Sequence, residues 1–168
     1  MSGVARVLKD DRPEVMIVLT EPANAAIVSS GHAQERDEQG SPAASHPHWE
    51  PHPIQGWTPD FIPLVLQETI DKGFYDQMVP VKGPDGMHWA RKLAAEEGIF
   101  TGVSGGSTFA VAMEIAESAP DGSVILVMLP DTGERYLSTP LFEGVAEAMT
   151  EEEIALSVST PGYQLKLD

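Results

Sequence analysis

Apolar residues follow two different spacings along this chain. Near-continuous β-prone runs at residues 14–20 and 123–129 predict strands covered on both faces, and a shorter run predicts a strand at 75–81. Apolar residues three or four positions apart predict three helices, at residues 3–11, 84–98 and 103–119, and one or two helical turns at 64–72. The alternation of helix and buried strand predicts a layered α/β fold.

A segment rich in glycine and serine, residues 102–107, joins a short apolar stretch at 99–103 to the last of these helices. The order is typical of a strand, a tight turn and a helix N-terminus. A helix start carries unpaired backbone N–H groups, so it favours an anionic or electron-rich ligand. A serine that caps the helix, with glycines present for packing, explains the same residues. Both interpretations stay open at this point.

The polar stretch at residues 29–53 is too long for a simple connection and predicts a long loop. Within it, side chains that ligate metals fall at every second position: His46, His48, Glu50 and His52. Pro47, Trp49 and Pro51 hold the intervening positions and Pro53 follows, which favours an extended loop anchored by its aromatic side chain. Alternation in such a loop sets neither ligand distances nor supporting hydrogen bonds, so we predict no metal site.

Composition narrows the possible functions. A chain of 168 residues can bury one sizeable core, which predicts a single domain. The formal net charge of −16 argues against nucleic acid or an anionic membrane as a partner, since either would repel the protein. Without cysteine, the chain can form no disulfide or thiolate site. No apolar run matches a signal peptide or a membrane span, so we expect a cytoplasmic protein.

The C-terminal third begins with a polar loop at residues 130–139, directly after the apolar run 123–129. Open α/β sheets bind ligands at the carboxyl ends of their strands, so this loop is a candidate ligand contact. The tail at 140–168 is predicted to hold a helix at 141–149, followed by an acidic cap at 150–153 and a second amphipathic turn.

Several segments, taken in this order, together resemble cysteine synthase, the O-acetylserine sulfhydrylase. The segments that carry the resemblance are Gly3–Lys9, Glu21–Pro22, His52–Gly56, Glu97–Ile99, Gly102–Ser107 and Leu129–Thr139. The resemblance extends over nearly all of the chain but corresponds to the C-terminal half of a family member only. It implies a truncated three-layer α/β/α architecture of fold type II, the tryptophan-synthase-β-like fold, with residues 1–168 as a single C-terminal portion.

The same resemblance implies a cofactor and a set of site residues. Family members use pyridoxal 5'-phosphate, and Ser104 is expected to hydrogen-bond the pyridine nitrogen of that cofactor. Gln55 and Gly56 look like the start of the mobile substrate-side segment of the family. The next residues, 57–60, depart from the commoner Ile-Gly-Ala-Gly.

Other parts of the family pattern are absent from this sequence. Members carry a Schiff-base lysine in a Ser-Val-Lys-Asp-Arg-like context, an asparagine-containing substrate loop and a Gly-Thr-Gly-Gly-Thr phosphate loop. None occurs here, and no lysine lies in a matching context: Lys9, Lys72, Lys82, Lys92 and Lys166. We therefore assign no catalytic residue, and expect this chain alone to be inactive and to bind the cofactor poorly.

Three functions remain open. The first is the C-terminal part of a cysteine synthase, which makes L-cysteine from O-acetylserine and sulfide by β-replacement. The second is a non-catalytic remnant or binding module that retains docking of a serine acetyltransferase. The third is a portion of an enzyme similar to cystathionine β-synthase, although residues 133–139 favour the cysteine synthase branch. The resemblance also implies a homodimer for the full-length family.

Overall fold

The computed structural model describes residues 2–160. They form five α-helices, α1 (Ser2–Asp11), α2 (Leu64–Asp71), α3 (Gly83–Lys92), α4 (Val103–Ala116) and α5 (Glu151–Ser157), and two strands, β1 (Val18–Pro22) and β2 (Gln77–Val81). A π-helical turn, Leu93–Glu97, extends α3, and 3-10 turns form at Gly133–Tyr136 and Pro140–Phe142. No helix among these residues is long and apolar enough to cross a membrane.

Strands β1 and β2 pair in parallel, with Val18 opposite Gln77 and Pro22 opposite Val81. Asp76 secures the start of both strands, because its carboxylate accepts a hydrogen bond from the Ile17 backbone N–H (2.6 Å) and one from the Lys9 ammonium. The Ile17 hydrogen bond and, after it, the Lys9 hydrogen bond lower the pKa of Asp76. The strand predicted at 75–81 is present in shorter form as β2, and the one predicted at 14–20 begins later, at Val18, and extends to Pro22.

Helices α3 and α4 pack closely, because glycines lie where they cross. A side chain on Gly106 would overlap the Gly86 carbonyl and the Ala90 backbone, and one on Gly86 would overlap the Ser107 hydroxyl. Beside this crossing, the Trp89 and Phe109 rings meet edge to face at 5.4 Å. The core beneath consists of Ile54, Val79, Val81, Ala90, Val103, Ala110, Val111, Tyr136 and Leu141.

The end predicted for the helix at 84–98 is confirmed. Gly98 ends the π-helical turn in the left-handed conformation (φ +69°), which glycine adopts without steric cost. Helix α4 ends at Ala116, three residues before the predicted end.

The strand predicted at 123–129 is absent. This segment belongs to no helix or strand, and the side chains of Val124 and Leu126 are 95% and 97% exposed. A β-prone run becomes a strand only when neighbouring strands pair with its backbone, and among residues 2–160 none lies beside it. The apolar stretch at 99–103 likewise forms no strand and contributes one isolated bridge, from Thr101 to Thr132.

The helix predicted at 141–149 is also wrong. One 3-10 turn forms at its start, and Gly144 then takes a φ of +89°, which turns the chain away from helical geometry. The acidic cap is confirmed. Thr150 and Glu153 form a reciprocal capping box at the start of α5. The last predicted residues of the tail, 161–168, lie outside the described part.

Candidate functional site

A cavity of about 480 Å³ opens beside the N-terminus of α4. Its lining comes from three segments of the chain and consists of Gln55, Gly56, Trp57, Ser104, Pro130, Asp131, Arg135 and Tyr136. The structure therefore brings together the three residues that the resemblance singled out, Ser104, Gln55 and Gly56, and places them with the polar loop at 130–139.

Ser104 lies in the first turn of α4 and is 3% exposed. Its hydroxyl donates to Asp131 Oδ1 across 3.4 Å, which is a long hydrogen bond. The serine-cap interpretation is wrong for this helix, since the N-cap residue is Gly102 and no side chain of the N-cap position bonds there. Ser104 thus presents a hydroxyl to the cavity that is only weakly held by its neighbours.

Asp131 organises the amino end of α4 from outside the helix. Its Oδ1 accepts from the Gly102 backbone N–H at 3.2 Å, and its Oδ2 accepts from the Tyr136 hydroxyl. Its backbone carbonyl accepts from the Thr101 hydroxyl at 3.2 Å. A carboxylate at this place satisfies an unpaired N–H group and complements the positive end of the helix dipole.

Tyr136 stays protonated over the physiological pH range. Burial and, after it, the Asp131 carboxylate raise the pKa of the Tyr136 phenol to about 12. The phenol therefore serves as a hydrogen-bond donor that holds Asp131 in place. Sequence reasoning missed Asp131 and Tyr136 as site residues, and the only signal for them was their position in the polar loop after an apolar run.

The substrate-side segment reaches the cavity through a tight turn. Ile54 is fully buried, and its carbonyl accepts from the Trp57 backbone N–H at 3.3 Å. Gly56 takes a φ of +82° within this turn, and Thr58 follows with a φ of +38°. Trp57 is half-buried against the core and forms one wall of the cavity.

Two histidines of the loop, His46 and His52, bond to the backbone through their rings. His46 accepts the His48 backbone N–H on Nδ1 (3.2 Å) and donates from Nε2 to the His32 carbonyl (3.1 Å), so both of its ring nitrogens are occupied. His52 Nε2 bonds to the Thr58 carbonyl. Within residues 2–160, no group of three or more His, Asp or Glu side chains has a geometry that could hold a metal ion.

Comparison with known proteins supplies the family context. A family model described as pyridoxal-phosphate dependent enzyme matches residues 1–131. The O-ureido-L-serine synthase of Streptomyces lavendulae is 44% identical over 155 residues, which cover 92% of this chain and 42% of that protein. A cysteine synthase of Staphylococcus aureus is 36% identical over 142 residues, covering 84% of this chain and 39% of that protein.

Solved structures agree with these matches. The crystal structure of an O-ureido-L-serine synthase has a TM-score of 0.72 at 45% identity, covering 91% of this chain and 42% of that one. A cysteine synthase from Entamoeba histolytica has a TM-score of 0.67 at 32% identity, covering 90% of this chain and 39% of that one. The chain thus spans about two fifths of the length of these relatives.

Proposed function

Because the chain belongs to the family of pyridoxal-phosphate-dependent enzymes, we propose that it is the C-terminal part of a cysteine-synthase-like enzyme and supplies one side of its cofactor site. The solved relatives also confirm the α/β fold class of fold type II that the sequence predicts. The proposed reaction replaces the acetate group of O-acetylserine with sulfide and yields L-cysteine.

The observation that carries this proposal is the Ser104 hydroxyl at the start of α4, facing a cavity beside Gln55 and Gly56. A neutral hydroxyl can hydrogen-bond a pyridine nitrogen without holding it protonated, whereas a carboxylate would hold the proton. When bound, the cofactor withdraws electrons from the substrate, and an unprotonated ring does so mildly, as an exchange at the β-carbon requires. The 3.4 Å bond to Asp131 is weak enough for Ser104 to change partner.

Among the cavity residues, Ser104 fits the ring-nitrogen end of the cofactor and the turn at Gln55 and Gly56 lies on the substrate side, whereas the lysine and the phosphate contacts are left to further chain. No lysine is among the residues that line the cavity, and the sequence contains no phosphate loop of the family type. The exposed apolar segment 123–129 supports the same division, because its side chains are typical of a buried strand. We propose that the remaining three fifths of the family fold pair with this segment and supply the lysine and the phosphate contacts.

A second product, O-ureido-L-serine, is favoured by the higher identity to its synthase, 44% against 36% for the cysteine synthase. Its formation by the same replacement requires N-hydroxyurea in place of sulfide, with the hydroxyl oxygen forming the new bond to the β-carbon and acetate leaving. Docking of serine acetyltransferase and homodimer formation stay predictions.

The test uses a completed enzyme, in which residues 1–168 are joined to the part of the Streptomyces lavendulae protein that this chain does not span. With pyridoxal phosphate and O-acetylserine, we expect cysteine from sulfide or O-ureido-L-serine from hydroxyurea, and the faster of the two identifies the reaction. Absence of both products would contradict the proposal. After incubation with pyridoxal phosphate and dialysis, the 168-residue chain alone should be colourless. A stable yellow complex would show that the chain holds a reactive lysine.

Ser104 is tested in the same completed enzyme. Ser104→Asp should change the cofactor absorption spectrum and lower turnover at least about tenfold, because a carboxylate keeps the ring nitrogen protonated. Ser107→Ala is the matched control, since the Ser107 hydroxyl is buried one turn further along α4, without a hydrogen-bond partner among the described residues. Unchanged spectra and turnover in Ser104→Asp would remove Ser104 from the site.

A further inference from the structure

Thr58 has an unusual backbone conformation beside the candidate site. Its φ of +38° is the one positive value found at a non-glycine residue among residues 2–160. A β-branched side chain disfavours this conformation, so the surrounding structure must hold it in place. Two side chains do so, because the Trp49 indole N–H donates to the Thr58 carbonyl at 2.9 Å and His52 Nε2 donates to the same oxygen at 3.1 Å.

The segment that carries Trp49 and His52 is itself anchored by two contacts. The Asn24 side chain donates to the Pro51 carbonyl at 2.8 Å, between Trp49 and His52 in sequence. Pro53 packs so closely against the start of α3 that a side chain on Gly83 would overlap its ring. The carbonyl of Thr58 is therefore bound to a segment that is fastened at two places, the loop after β1 and the start of α3.

His52 contributes one polar interaction here. Nε2 donates to the Thr58 carbonyl, and Nδ1 is buried with no hydrogen-bond partner among the described residues. An unsatisfied buried nitrogen lowers stability, so an apolar side chain would suit packing alone better than histidine does. The bond to Thr58 is the feature that distinguishes His52 from such a side chain.

We propose that Trp49 and His52 are positioning residues, which fix Thr58 and thereby hold Trp57 as a wall of the cavity. Trp57 immediately precedes Thr58 and lines the cavity with Ser104. It is therefore the residue that limits the size of the molecule that replaces the leaving group, a role that rests on the proposed function.

The positioning role is tested on the 168-residue chain by the indole N–H signals of its three tryptophans in nitrogen-15 NMR spectra, assigned with Trp57→Phe. In Trp49→Phe and His52→Leu, the Trp57 signal should shift or split, because Thr58 is released. In the control variant Trp89→Phe, which removes the indole ring that packs on Phe109, the Trp57 signal should not move. His52→Leu should keep or raise the free energy of unfolding. An unmoved Trp57 signal in both variants would overturn the positioning role.

The size limit is tested in the completed enzyme with sulfide and phenylmethanethiol as acceptors. Trp57→Ala should raise the kcat/KM ratio of the bulkier thiol to sulfide about tenfold or more, and His52→Leu should raise KM for the acceptor more than it changes kcat. An unchanged ratio in Trp57→Ala would overturn the size limit. If no variant forms product with any acceptor, the proposed function and the size limit both fail, and the indole spectra still decide the positioning role.

Discussion

Asp131 caps the N-terminus of α4 from a loop 29 positions further along the chain, with its Oδ1 3.2 Å from the donating backbone nitrogen of Gly102. The same carboxylate oxygen receives the Ser104 hydroxyl. Asp131 therefore both stabilises the N-terminus of α4 and orients the hydroxyl of Ser104, the candidate cofactor contact.

The first prediction concerns this cap. Asp131→Asn keeps an acceptor but removes the charge, so we expect a loss of about 1 kcal/mol in the free energy of unfolding, and Asp131→Ala should lose about 2 kcal/mol. Urea denaturation measures both values. Asp121→Asn, in the exposed turn after α4, is the control and should change stability little. Equal effects at positions 121 and 131 would contradict the cap.

The second prediction concerns the pH dependence of Tyr136. Its pKa is about 12 in the folded protein against 10.0 for an ordinary tyrosine, so folding favours the protonated phenol. This contribution to stability is fully present below pH 10 and is lost as the pH rises from 10 towards 12. Ultraviolet titration of tyrosinate should show one group ionising about two pH units above the ordinary tyrosine value, and Tyr136→Phe should abolish that step. A titration unchanged by Tyr136→Phe would contradict it.

The third prediction concerns acid stability at the start of the sheet. The pKa of Asp76 is lowered by the Ile17 N–H and then by Lys9, so its contribution is present above the ordinary pKa of 3.8 and is lost as the pH falls through the lowered value. Asp76→Asn should destabilise the protein at neutral pH by about 1 kcal/mol, a modest value because the pair is partly exposed. The difference between wild type and variant, measured by urea denaturation, should shrink in acid. A difference that does not depend on pH would refute this prediction.

The fourth prediction concerns the crossing of α3 and α4. Gly106→Ala should destabilise the protein by about 3 kcal/mol or more, because the new methyl group overlaps backbone atoms of Gly86 and Ala90. Gly3→Ala in α1 is the matched control, since nothing lies within 4 Å of the added methyl group. That control should be neutral or stabilising by about 0.5–1 kcal/mol. Thermal unfolding of the two variants decides whether the close approach requires glycine.

The sequence by itself determined the elements whose signals are local. Helical spacing located α1, α3 and α4, and the glycine at position 98 marked the end of the π-helical turn because left-handed geometry is a property of a single residue. The order of short segments indicated the family, and the resemblance to that family singled out Ser104 as the expected cofactor contact.

Only the tertiary structure decided which groups meet. The contact of Asp131 with Gly102 and the two donors on Thr58 join residues whose separation along the chain carries no periodic signal. The segment 123–129 has the composition of a buried strand, but a strand is made by hydrogen bonds to neighbouring strands, and the described residues provide none there. Apolar patterning reports what a segment can bury, whereas pairing depends on what the rest of the fold places beside it.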